Sequence, residues 1–176
     1  MIGQLDGGGL YTATVQVPVS LLKVAVVAVL TAWAVWLFQL WQPARQVELH
    51  TLNLLERASA RDWPAVEAMM APDYGDAWGH DRTTAIDEAR RLFSHFFALQ
   101  IVPLAPLEIS EGGDGWEARA PVGIFGSGTA VAQTVIDEVQ SAEAPATFVW
   151  RRDGGLPWTW SLVQVRHEEL ARRWPR

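Results

Sequence analysis

The side chains best able to move a proton or orient a carbonyl lie together in one stretch, Asp73-Tyr74-Gly75-Asp76-Ala77-Trp78-Gly79-His80-Asp81-Arg82. An imidazole titrates in the useful range, and a neighbouring carboxylate can fix its tautomer. Tyr74, Asp76, His80 and Asp81 are therefore candidates for a general acid, a base and an orienting carboxylate. Such a set suits proton abstraction next to a carbonyl. The competing reading is structural: Asp81 and its neighbours cap the helix expected downstream and keep the loop solvated. Spacing within one loop does not by itself establish convergence in a cavity.

Other chemistries find less support. His50, Asp76, His80 and His95 form no H-x-x-x-H or HExxH pair, so no metal is expected. Gly123, Gly126 and Gly128 have the wrong spacing for a phosphate loop and read as glycines at a strand break. No serine sits in a G-x-S-x-G context. The chain has no Cys, which removes disulfides, thiol catalysis and thiolate metal sites together. No cofactor is expected. Glu117 and Arg119 share one face by strand alternation, where with Gln133 and Asp137 they line a polar pocket or face water. Trp150, Trp158 and Trp160 read as core aromatics or as a stacking surface for an aromatic ligand.

The stretch that must position everything else is residues 19–41, VSLLKVAVVAVLTAWAVWLFQLW. About 20 apolar residues suffice to cross a bilayer core as a helix. The one ionic residue, Lys23, sits near its start, where a long stem lifts the ammonium toward the headgroups. Trp33, Trp36 and Trp41 gather toward the other end as an aromatic belt. A buried core helix seldom runs apolar on all faces for this length. A cleaved signal would have a basic start and a small-residue site. Here no Lys or Arg precedes Lys23, and the flank FQLWQP offers no such site, although Ala32-Trp33-Ala34 mimics one inside the run. The expectation is a flexible tail over 1–17, a retained transmembrane helix over 18–42 and one domain over 43–176.

The net charge of −6 and a pI near 5.1 argue against a nucleic-acid partner. No polybasic cluster is present to hold the domain against anionic lipid. Lys23 before the span against Arg45, Arg57 and Arg61 after it leans toward a cytoplasmic domain. A short tail followed by a large C-terminal domain is also a common plan of inner-membrane proteins facing the periplasm, and that placement is preferred, the cytoplasmic one staying open.

Along the domain, Val47, Leu54, Leu55 and Ala58 recur at helical spacing over 44–60. Asp62 caps a short helix with Pro64 in its first turn. A third helix is predicted from Thr84, with Asp87 at capping-box spacing, an apolar face of Ile86, Ala89, Phe93, Phe96 and Phe97, and an Asp87–Arg91 pair. Strands are then predicted over 101–109, 116–125, 130–140, 147–152 and 158–166, the last two as a hairpin around Asp153-Gly154-Gly155. A short helix ends the chain. Helices followed by antiparallel strands make an α+β layout.

This order resembles the NTF2-like superfamily, which includes SnoaL-like proteins and ketosteroid isomerases. The likeness rests on Ala60-Arg61-Asp62-Trp63-Pro64-Ala65-Val66 between the first helices, on Met69-Met70-Ala71-Pro72-Asp73-Tyr74 where the second helix gives way, on the Phe-rich third helix and on the Trp-rich closing hairpin. It implies helices packed on a curved antiparallel sheet around a pocket. It also implies two classes of function. The architecture is similar to a membrane-anchored scaffold of type IV secretion, so the expected role is a non-catalytic accessory or scaffold subunit. Its partners would be the lipid bilayer and other membrane subunits or a second copy. The alternative is a SnoaL-like isomerase, dehydratase, hydrolase or small-molecule binder, using Tyr74, Asp76, His80 and Asp81 in the pocket.

Overall fold

A computed structural model of the chain describes residues 19–156 and 158–173. They fall into two compact units, the first ending at Phe38 and the second beginning at Gln39. The expected tail over 1–17 lies outside the described residues. Helix α1 (Val19–Leu40) belongs to the apolar run, and Val24, Val27, Leu30, Trp33, Trp36 and Phe38 are each 55–71% exposed along it. Lys23 is exposed as well, and Trp41, also exposed, stands in the turn that follows. Among the described residues no single helix is long and apolar enough to cross a membrane.

In the second unit, Pro43 starts a helix, because the first turn needs no N–H donor there. Helix α2 (Pro43–Ser59) buries Val47, Thr51, Leu54 and Leu55, one stripe of a 3.6-residue period. Helix α3 (Trp63–Met69) is capped by Asp62, whose Oδ1 accepts the Ala65 N–H at 3.3 Å. Helix α4 (Arg82–Phe93) starts two residues earlier than predicted. Its cap is Asp81, whose Oδ1 accepts the Thr84 N–H at 2.8 Å. Asp87 consequently pairs with Arg90 at 2.9 Å, and Arg91 turns to Glu88.

Phe96 and Phe97, expected on that helix, instead open strand β1 (Phe96–Pro103), where alternation buries Phe96 and leaves Phe97 78% exposed. The predicted strand over 101–109 is two strands: β1 ends at Pro103, and β2 (Glu108–Gly112) joins a different sheet. The predicted strand over 116–125 divides likewise into β3 (Gly115–Ala120) and β4 (Val122–Gly128), with Pro121 at the corner. The sheets run β1-β4 and β2-β3-β5-β6, all of these pairs antiparallel. Gly126 lies inside β4 opposite Leu99, at φ +152°, where an added Cβ would stand 2.0 Å from the Ala98 carbonyl oxygen.

One element is of the wrong type. Residues expected as a strand over 130–140 form helix α5 (Ala130–Gln140), which buries Ala132, Val135, Ile136 and Val139. Gln133 and Asp137, expected to share a sheet face, are instead bonded one turn apart at 2.9 Å. Strands β5 (Ala146–Arg152) and β6 (Trp160–Arg166) form the predicted hairpin, and α6 (Glu168–Arg173) follows. Trp150 is fully buried against α2, where its Nε1–H donates to Thr51 Oγ1 at 2.9 Å. The core is extended by Trp63 stacked on Phe93 at 5.7 Å and Phe93 set edge-on to Phe96.

Candidate functional site

The loop after α3 is held by its backbone. Ala71, Gly75 and Ala77 donate their N–H groups to the carbonyls of Leu162, Val163 and Val165, at 2.9, 3.1 and 3.1 Å, so the loop runs along β6. Arg151 of β5 adds a two-pronged ion pair to Asp73, at 2.7 and 2.8 Å, which holds the exposed Asp73 carboxyl down at about 2. Within the loop, Asp76 Oδ1 accepts the N–H groups of Trp78 and His80 at 2.9 and 2.7 Å. Its Oδ2 lies 3.0 Å from His80 Nδ1. Asp folding its own backbone in this way is a turn-forming habit of the residue.

This loop closes one side of a cavity of about 320 Å³. Apolar side chains from every layer line it, among them Leu54 of α2, Trp63 of α3, Ile86 of α4, Ile124 of β4, Val139 of α5 and Phe148 of β5. Three lining residues carry ionisable groups: Tyr74, Asp76 and His167. Burial, reinforced by the Asp76 charge, pushes the Tyr74 phenol well above its ordinary range, so it stays protonated as a donor. Burial also lowers His167, with Glu169 opposing and Arg173 assisting. Its Nδ1 accepts the Leu170 N–H at 3.4 Å, which leaves Nε2 to carry the proton of the neutral ring.

The four residues singled out in the sequence therefore separate. Tyr74 and Asp76 line the cavity; the Asp76 side chain is 6% exposed. His80, 28% exposed, is bound to Asp76 but lines a neighbouring cavity of about 420 Å³. Asp81 caps α4 and lines neither. The expected pocket-lining residues are elsewhere. Glu117 is bonded to Arg119 and Arg166, facing away from the cavity. Trp150 packs on His50 and Thr51 of α2. Trp158 is exposed, and Trp160 is buried beneath the Arg152 guanidinium. Sheet alternation puts Glu117 on the face opposite Phe148, whereas Trp150 and Trp160 share the face of Phe148 and Leu162 but lie farther along their strands, and Trp158 precedes β6. His167 was missed as a site residue because it reads as the start of a charged terminal helix. Among the described residues no cluster of three or more metal-ligating side chains occurs.

The class is set by the arrangement of helices over two antiparallel sheets: an α+β domain of the NTF2-like fold. Two solved structures agree. An NTF2-like family protein from Streptomyces avermitilis superposes at TM-score 0.52 with 15% identity, over 70% of this chain and 93% of its own. An NTF2-like superfamily protein from Salmonella enterica gives 0.52 and 12%, over 70% and 88%. A Bdellovibrio bacteriovorus structure, Bd1075, gives 0.49 and 9%, and the chain spans 38% of that protein's length. No protein-family model matches the sequence, and no curated protein matches it. At these identities the likeness establishes the fold alone.

Proposed function

We propose that this chain is a membrane-tethered NTF2-like domain whose cavity binds a small, mostly apolar molecule. The observation that carries the binding part is the 320 Å³ cavity with its apolar lining and few polar groups, the ordinary make-up of a small-molecule site. We assign binding rather than turnover. Asp76 spends three acceptor positions on its own loop, and it is the carboxylate lining the cavity. The tether is argued from the sequence: residues 19–41 hold one charge, and the exposed apolar side chains of α1 call for a nonaqueous environment. On this reading the helix sits in an inner membrane with the domain on the outer side.

The chain holds three Met, and of the two in the described domain Met70 lines the cavity whereas Met69 does not. Full-length protein in lipid nanodiscs, labelled with 13C at the methionine methyls, is titrated with 1-naphthol. A saturable shift of the Met70 resonance, larger than that of Met69, is expected. No saturable shift at Met70 overturns the binding reading. The chain lacks Cys, so single cysteines placed at exposed Glu111 or Glu143 report which side of the membrane the domain faces through an impermeant thiol reagent.

A second reading, accessory subunit of a larger assembly, is favoured by one surface. Phe97, Leu104 and Phe125 of the β1–β4 region are 43–78% exposed, and Leu104 and Phe125 flank Gly123 together. Such apolar exposure fits a partner subunit or a second copy. Crosslinking in native membranes from a residue beside Phe125 tests it, and recovery of monomer alone counts against it.

A further inference from the structure

The two cavities are neighbours. Trp78, Ala89, Phe93, Ile124, Val139 and Leu170 line both, and so form the partition between them. The inner one ends among core side chains; the outer one carries His80 and Glu88 and lies nearer solvent. A compact ring system fills one such space alone, since the shared side chains narrow the way from one to the other. A thin, flexible chain can thread past such a partition and bury its length in both.

The polar groups set the orientation. In the inner compartment Tyr74 is engaged by the backbone at Val165, Asp76 by its own loop, and His167 Nδ1 by Leu170. In the outer one, Asp76 Oδ2 takes the Nδ1 side of His80, which makes Nε2 of the neutral ring an acceptor. The charges around that position are the carboxylates of Asp76 and Glu88, the latter paired at 3.0 Å with Arg91 on the helix surface. Two carboxylates there repel an anionic head; each already holds a cation or N–H donors and calls for no second cation, so an uncharged donor fits best.

We infer that the ligand is a single-chain amphiphile with a neutral hydroxyl head, its tail crossing the Trp78–Phe93 partition into the inner cavity and its hydroxyl donating to His80. This rests on the binding reading above and narrows it to a class.

The test uses full-length protein in nanodiscs with labelled Met70 and ring-labelled histidines, titrated with straight-chain alcohols of increasing length. Butanol is expected to shift His80 and leave Met70 unmoved. Dodecanol is expected to shift both. Affinity should rise about four-fold per methylene until the compartments are filled. Dodecanoate should bind at least ten-fold more weakly than dodecanol. Ala89→Trp, which thickens the partition, should abolish the Met70 response to dodecanol and keep the His80 response. His80→Ala should weaken every alcohol by a similar factor. If 1-naphthol shifts Met70 but alcohol affinity is flat with chain length, or dodecanoate binds as well as dodecanol, the chain-and-hydroxyl assignment is wrong while the cavity reading stands. If neither probe shifts Met70, both fall.

Discussion

Replacing Ala85 by Leu decides whether the inner cavity is space or tightly packed core. Ala85 lies in the first turns of α4 and lines the cavity beside Ile86, with its own N–H bonded to the Asp81 carbonyl at 2.9 Å. Leu is a good helix former, so the backbone tolerates it. The substitution adds three carbons. If they enter empty apolar space, burial contributes about 0.8 kcal/mol each, or about 2.4 kcal/mol in all. Fixing the Leu rotamer costs about 0.5–1 kcal/mol. The net is a stabilisation of about 1.5 kcal/mol, a rise in melting temperature of about 3–7 °C for a domain of this size. Overpacking predicts the opposite sign, a loss of about 1–3 kcal/mol. Thermal unfolding of the full-length protein, followed by circular dichroism at pH 7.5, separates the two. The same variant should lose the Met70 response to 1-naphthol. A melting temperature that falls by several degrees would refute the cavity, and with it the ligand.

Four further outcomes follow from single contacts. Thr51→Val leaves the buried Trp150 Nε1–H without its acceptor and should cost about 1–3 kcal/mol in urea unfolding, with the Trp150→Phe background showing a smaller loss. Gly126→Ala forces a Cβ toward the Ala98 carbonyl at a φ that L residues avoid, and should cost at least about 1–3 kcal/mol by the same assay. Asp81→Ala removes the α4 cap and should lower the urea midpoint, yet should leave alcohol and naphthol affinities unchanged because Asp81 lines neither cavity. His50 and His167 are both held below their ordinary 6.5 by burial, so below that pH the unfolded chain binds more protons than the folded one. The stability they contribute is complete above 6.5 and is lost on acidification, and His167→Gln should flatten part of that slope in urea titrations at pH 7.5, 6 and 5.

Local physics made much of the fold legible. The stripe of α2, the Asp62 cap, the Pro64 turn and the β5–β6 hairpin are written in residue type and spacing, and each forms. The misread helix α5 shows where spacing becomes ambiguous. Val131, Val135 and Val139 lie four apart, an even interval that one strand face and one helix face both satisfy. The deciding residues are Ala132 and Ile136, buried alongside Val135 and Val139. A strand would send neighbours such as Val135 and Ile136 to opposite faces, whereas a helix brings both to the core. The split strands failed for a different reason. Pro103 and Pro106 are visible as breaks, but which sheet each half joins depends on partners far along the chain.

The site divides along the same line. Tyr74, Asp76 and His80 stood out because their types sit close together, and Asp76 does bind His80. What turns two of them into a cavity wall is the set of bonds from Ala71, Gly75 and Ala77 to the carbonyls of β6. Those bonds use main-chain atoms alone, which every residue but proline can supply equally. They therefore leave little trace in composition or periodicity. His167, delivered by the end of the same strand, is tied to the loop through that strand rather than by a spacing in sequence. A pocket assembled by backbone pairing between distant segments shows itself only once the sheet edge that receives the loop is known.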